Sequence, residues 1–93
     1  MVQNNPSSHE TPLAKYSHTP AEQVSTAIEN ALAAKPAWEN MSFTDRAAIF
    51  LKAAELIGGK YRYDIMAAAM LGQGKNTWQA EVDAAAESCD FLR

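Results

Sequence analysis

The chain has 93 residues and a mass of 10.1 kDa, which fits one small domain or a piece of a larger one. Hydrophobic residues make up 47% of it, but alanine supplies 18 of them, and leucine, isoleucine, valine and phenylalanine together number only 16. Each alanine removes little area from water on burial. The composition therefore predicts helical material that buries its faces against something else.

Charge and hydropathy argue against several partners. Eight basic and eleven acidic residues give a net charge of −3 without a basic cluster, so we expect no nucleic acid and no anionic membrane as partner. No apolar run approaches the roughly 18 residues of a membrane span. Residues 1–19 contain neither a secretory signal nor an arginine-rich transit peptide. The single cysteine, Cys89, suits a reducing compartment.

The first segment, residues 1–18, is polar and has an extended, strand-like pattern. Residues 12–17 alternate in polarity as a short strand does. No second alternating stretch lies nearby, so we expect this strand to lack a partner and to be mobile. The second segment, residues 19–93, is predicted to be helical to its end, with about four helices.

The first predicted helix has clear signals at both ends. Thr19 as N-cap, Pro20 at the first helical position and Glu22 at N3 form a capping box, and the helix is expected to stop before Pro36. One apolar stripe runs along it: Val24, Ala27, Ile28, Ala31 and Leu32.

The second helix is predicted to begin at Ser42, with Asp45 three residues on as its capping partner. It is expected to end at Gly58-Gly59, because glycine tolerates a left-handed C-cap. Its apolar stripe is Ile49, Phe50, Ala53, Leu56 and Ile57.

Two further helices follow. Helix three is predicted over residues 60–71 and ends at Gly72, and helix four begins at Asn76, with Gln79 at N3. At about 100° per residue, one apolar stripe of helix four contains Trp78, Val82, Ala85, Cys89 and Leu92. Three carboxylates lie opposite that stripe: Asp83, Glu87 and Asp90.

Most candidates for chemistry have a structural interpretation. Residues 72–76 (GQGKN) lack the first glycine and the Ser or Thr of a phosphate loop, which favours a helix cap and turn. Cys89 lies late in a helix on an apolar stripe, so a packed thiol is expected rather than a nucleophile. His9 and His18 have no partners at ligand spacing, and we expect no metal site. On spacing alone, the three carboxylates of helix four form a solvated face.

Two stretches of sequence carry a family resemblance. Residues 31–56 (ALAAKPAWENMSFTDRAAIFLKAAEL) resemble the early helices of aldehyde dehydrogenases. Residues 70–93 resemble the 1-pyrroline-5-carboxylate dehydrogenase branch, also called glutamate-semialdehyde dehydrogenases, with its pattern G-Q-G-K-x-x-x-Q-A-E-x-D-A-A-A-E. The matching positions are Gly72, Gln73, Gly74, Lys75, Gln79, Ala80, Glu81, Asp83, Ala84, Ala85, Ala86 and Glu87.

The resemblance implies a fold and an activity. The chain would be mainly α as it stands, and an N-terminal fragment of the NAD-binding domain of the α/β aldehyde dehydrogenase fold. Such enzymes use NAD to oxidise L-glutamate γ-semialdehyde to L-glutamate in proline breakdown, and eukaryotic members work in the mitochondrial matrix. The family's nucleophile (G-Q-x-C) and base (E-x-G-G-K) match nothing here, so no catalytic and no cofactor-binding residue is expected, and the isolated chain should be inactive. The expected partners are the remainder of the enzyme chain and further copies in a homo-oligomer.

One residue role follows from the resemblance. The exposed side of the fourth helix lines the aldehyde tunnel in the family, and Glu87 falls where many members place an apolar tunnel residue. Glu87 would therefore bind the substrate's α-ammonium group, whereas Asp83 and Asp90 keep the solvated interpretation. Two alternatives stay open: a non-catalytic helical interaction module, and an aldehyde dehydrogenase acting on another substrate.

Overall fold

A computed structural model describes all residues, 1–93, as a β-hairpin followed by helices. The strands are β1 (Val2–Asn5) and β2 (Ser8–Lys15). Three long helices follow: α1 (Ala21–Asn40), α2 (Phe43–Gly58) and α3 (Arg62–Gln73). The last helix, residues 77–92, consists of α4 (Thr77–Ala80), a π-helical turn (Glu81–Ala86) and α5 (Glu87–Leu92). No helix has the length and apolar character that crossing a membrane requires.

The hairpin corrects the expectation of an unpartnered strand. β1 pairs antiparallel with β2, with Val2 opposite Lys15 and Asn5 opposite Ser8. Its turn is closed locally, because the Ser7 amide donates to the Asn5 side chain at 2.8 Å. β1 has no alternation of apolar and polar residues, so its sequence does not predict a strand. Backbone hydrogen bonds to β2 hold it in place.

Both predicted ends of the first helix are wrong. Pro20 takes an extended ψ of 151°, so α1 begins at Ala21 without a side-chain cap, and Thr19 lies outside it. Pro36 lies inside α1, although proline removes one helical hydrogen bond. Packing of Trp38 stabilises the helical turn that follows Pro36, because the Trp38 ring meets Phe50 of α2 edge-on at 6.3 Å.

The ends of the next two helices are partly as predicted. Ser42 caps α2, and its hydroxyl accepts from the Asp45 amide at 3.1 Å, which confirms the predicted start. The end at Gly58 is confirmed, but Gly59 has φ −116°, so the predicted left-handed cap is wrong there. α3 starts and ends two residues later than predicted, because the left-handed cap is Gly74, with φ 67°.

Little of the chain is buried. Five of 93 residues are buried, and the largest cluster is Met66, Ala80 and Ala85, with Ala69 and Met70 against it. The radius of gyration is 17.3 Å, whereas a compact domain of this length has about 12 Å. α1 has no buried residue, and its predicted stripe, including Ile28 and Leu32, is exposed. The helices therefore present apolar faces that these 93 residues do not cover.

Candidate functional site

The candidate site is the last helix, which begins at a reciprocal cap. The Asn76 side chain accepts from the Gln79 amide at 2.9 Å, and the Gln79 side chain accepts from the Asn76 amide at 3.0 Å. This confirms the predicted capping box. A cap and turn do precede Asn76, but they consist of Gly74, which is left-handed, and Lys75, which pairs with Asp83 at 2.6 Å, whereas Gly72 and Gln73 still belong to α3.

A π-helical turn in the middle of this helix changes which side chains share a face. The Glu87 amide donates to the Val82 carbonyl, five residues back, where an α-helix would bond four residues back. Trp78 and Val82 are 78% and 45% exposed, whereas Ala85 and Cys89 are buried. The predicted apolar stripe is therefore wrong in its first half, because one extra residue in the turn breaks the 100° register.

Glu87 is the first residue of α5, directly after the π turn. Its side chain is exposed and makes no ion pair or side-chain hydrogen bond within the 93 residues. Two residues on, Cys89 lies on the opposite side of α5 and faces α2. The Glu87 carboxylate thus points away from the rest of the chain and is free to accept hydrogen bonds.

The other two carboxylates differ from Glu87 in their surroundings. Asp83 accepts from the Lys75 ammonium, so it is tied to the turn before the helix. Asp90 is exposed and lines a cleft of about 400 Å³ between α2 and α5, together with Glu55, Arg62 and Arg93. The structure therefore does not gather the three carboxylates into one binding site.

Contacts to α2 and α3 fix the orientation of the last helix. Cys89 is buried, and its thiol donates to the Ala54 carbonyl at 3.3 Å, which confirms a packed thiol. Arg62 pairs with Glu81 at the first residue of the π turn and also donates to the Gly58 carbonyl at 3.3 Å. Sequence spacing cannot reveal the Arg62–Glu81 pair, because its members come from different helices.

The two histidines lie in the N-terminal segment. His9 is exposed in β2, and the ring of His18 meets that of Tyr16 edge-on at 6.1 Å. No group of three potential metal-ligating side chains occurs in the chain.

The whole chain, residues 1–93, matches the model of the aldehyde dehydrogenase family, and the chain belongs to that family. The mitochondrial delta-1-pyrroline-5-carboxylate dehydrogenase of Emericella nidulans is 58% identical over 93 residues, which are 100% of this chain and 16% of that protein. The mitochondrial human protein of the same name is 46% identical over 91 residues, 98% of this chain and 16% of its own length.

A solved structure supports the same relationship. The delta-pyrroline-5-carboxylate dehydrogenase of Mycobacterium tuberculosis, crystallised with NAD and cobalamin, matches with a TM-score of 0.96 at 40% identity. The match covers 100% of this chain and 18% of that one. The predicted family and fold are confirmed, and the chain spans 16% to 18% of the length of these relatives.

Proposed function

We propose that these residues belong to an enzyme that oxidises L-glutamate γ-semialdehyde, the open-chain form of 1-pyrroline-5-carboxylate, to L-glutamate with NAD. The identity of 58% with a protein named for this activity, along the full 93 residues, carries the proposal. A second relative of that name, from Schizosaccharomyces pombe, is 56% identical over 91 residues. The motif that resembles this branch, residues 72–87, forms the cap, the π turn and the start of α5.

Glu87 is the residue that we propose contacts the substrate. Glutamate semialdehyde carries an α-ammonium group, which simple aliphatic aldehydes lack. An exposed carboxylate without a partner can accept a charge-assisted hydrogen bond from that ammonium. Asp83 is less suited, because its carboxylate already binds Lys75. Glu87 would therefore act in substrate selection, and the chemical steps would belong to other residues of the enzyme.

The 93 residues do not form a binding site for NAD on their own. The only sheet is an antiparallel hairpin, whereas dinucleotides bind at the carboxyl ends of parallel strands. The turn at Gly74-Lys75 is the cap of α3, and its lysine is paired with Asp83. We assign NAD binding, like the nucleophile and the base, to polypeptide outside residues 1–93.

The exposed apolar faces support two proposals about partners. The remainder of the enzyme chain would cover most of them, including the stripe of α1, because the chain spans 16% of its relatives. We also propose that the enzyme is a homo-oligomer. Several relatives are named as mitochondrial, which supports a mitochondrial location, and we propose the matrix as the compartment.

The test replaces Glu87 in the enzyme that contains these residues. Loss of one charge-assisted hydrogen bond, about 1.5–3 kcal/mol, lowers kcat/KM for glutamate semialdehyde roughly tenfold or more in Glu87→Gln and Glu87→Ala, mainly through KM. The kcat/KM for propanal should stay unchanged. Asp90→Asn, which neutralises an exposed carboxylate three residues away, serves as control. Equal losses with both aldehydes would remove Glu87 from substrate recognition.

A further inference from the structure

Arg62 lies at a junction of three helices. It is the first residue of α3, and its amide donates to the Gly59 carbonyl at 3.2 Å, which fixes its backbone directly after the end of α2. Its guanidinium donates to the Gly58 carbonyl at 3.3 Å and pairs with Glu81, the first residue of the π turn. Because the planar guanidinium can serve several acceptors in fixed directions, one side chain joins α2, α3 and the last helix.

The Arg62–Glu81 pair differs from the other ion pairs of the chain in its burial and in the elements that it joins. Both of its side chains are 32% exposed, whereas those of Lys52 and Glu55, within α2, are 61% and 69% exposed. It is also the only one of the four pairs whose members lie in two different helices. Water screens an exposed pair strongly, and a partly buried one less. Removing Arg62 would leave a partly buried carboxylate without compensation.

The Arg62–Glu81 pair holds one end of the π turn, and the proposed substrate contact follows the other end. The turn runs from Glu81 to Ala86, and Glu87 comes next. Ala86 lines the same cleft between α2 and α5 as Arg62, so Arg62 also borders the end of the turn. A shift of the turn away from its anchor at Glu81 would change the direction of the Glu87 carboxylate, and the strength of a hydrogen bond depends steeply on direction.

We propose that Arg62 is a positioning residue for substrate selection: through Glu81 it holds the π turn in the orientation that directs the Glu87 carboxylate to the α-ammonium group of the substrate. This rests on the proposed function, which makes Glu87 the contact to that group. Because Arg62 acts only through Glu81 and Glu87, its loss lowers activity toward an aldehyde that carries an ammonium group and leaves other aldehydes unaffected. Its loss also costs no more than the loss of the Glu87 carboxylate itself.

Steady-state kinetics of the enzyme that contains these residues tests the role. Arg62→Met keeps the aliphatic stem but removes the charge and the donors. It should raise KM for glutamate semialdehyde about fivefold, less than the roughly tenfold effect of Glu87→Gln, and leave kcat/KM for propanal unchanged. Combined with Glu87→Gln it should cost nothing further, because no carboxylate is then left to orient. Lys52→Met removes an ion pair within α2 and is the control, which should change neither substrate.

A purely structural role of Arg62 would give other kinetics. Equal losses with both aldehydes, an unchanged KM for glutamate semialdehyde, or additive losses in the double variant would each overturn the proposal.

Hydrogen exchange measures the hold on the π turn without any substrate. In Arg62→Met the amides of residues 81–87 should exchange several-fold faster, and Glu81→Gln should have the same effect, with the two together no worse than either alone. Unchanged exchange, with glutamate semialdehyde oxidised normally by the parent enzyme, overturns the role of Arg62 and leaves the proposed function intact. A parent enzyme that oxidises propanal but not glutamate semialdehyde overturns the proposed function, and with it the substrate selection assigned to Arg62.

Discussion

The contact between α2 and α5 predicts that Gly58→Ala destabilises the protein while the Cys89 thiol is present and stabilises it once that thiol is removed. A methyl group added at Gly58 would lie 3.3 Å from Cys89 Sγ, so the neighbour would have to move by a few tenths of an ångström. The thiol has little room, because it is buried and bonded to the Ala54 carbonyl. Overpacking costs about 1–3 kcal/mol, whereas alanine at this helix end gains at most about 1 kcal/mol in propensity. Gly58→Ala should therefore destabilise the contact by about 1 kcal/mol.

Removing the thiol should reverse that effect. Cys89→Ala alone loses a buried hydrogen bond and some packing, which costs about 1–2 kcal/mol. In that background the methyl group at Gly58 has space, and Gly58→Ala should stabilise by about 0.5 kcal/mol. The two substitutions thus couple by roughly 1.5 kcal/mol, within the usual range for residues in contact.

Native-state hydrogen exchange on the enzyme containing these residues measures this cycle, because it reports the opening free energy of α2 and α5 separately from the rest of the protein. Gly72→Ala is the matched control: a methyl group there meets nothing within 4 Å, so only the gain in helix propensity is expected. If Gly58→Ala changes protection equally with and without the thiol, the steric reasoning is refuted.

Two further predictions concern the stability of the chain. Asn76→Ala removes half of the capping box and should lower the stability of the last helix by about 1 kcal/mol. Hydrogen exchange of the amides in residues 77–80 should then be faster. Asn76→Asp is the control, because aspartate should retain the cap. The isolated 93-residue chain, with five buried residues, should melt without cooperativity in circular dichroism and calorimetry and should aggregate. A sharp monomeric transition would show that the exposed apolar faces need no further polypeptide.

The sequence predicted the elements whose cause is local. The caps at Ser42 and Asn76 were identifiable because donor and acceptor are three residues apart. The exposure of Glu87 was likewise predictable from its position opposite Cys89. Its role in the site came from the family resemblance and stays a prediction.

Features that depend on distant residues were missed. Pro36 lies within α1, in a segment where Trp38 packs on Phe50. The expectation that a helix stops before proline considers only the local backbone and does not include that contact. β1 pairs with β2 through backbone hydrogen bonds, and its side chains show no alternation that would predict a strand. The Arg62–Glu81 pair joins α3 to the π turn and has no sequence signature. Each of these is a tertiary interaction that overrides or adds to a local preference.

The π turn yields a last prediction about how Glu87 is oriented. Contacts fix the helix on both sides of the turn: Arg62 holds Glu81 before it, and Ala54 holds Cys89 after it. The turn holds one residue more than an α-helical turn, so deleting the exposed Ala86 should give a regular helix that keeps both contacts.

We therefore expect the Ala86 deletion to leave the enzyme folded and the KM for glutamate semialdehyde within a few-fold of the parent value. Deletion of Ala68, exposed within the regular helix α3, rotates everything after it by about 100° and should abolish folding. If the Ala86 deletion damages the fold as much as the Ala68 deletion in far-UV circular dichroism, or raises KM by more than a few-fold, the π turn itself, and not its flanking contacts, determines where the Glu87 carboxylate points.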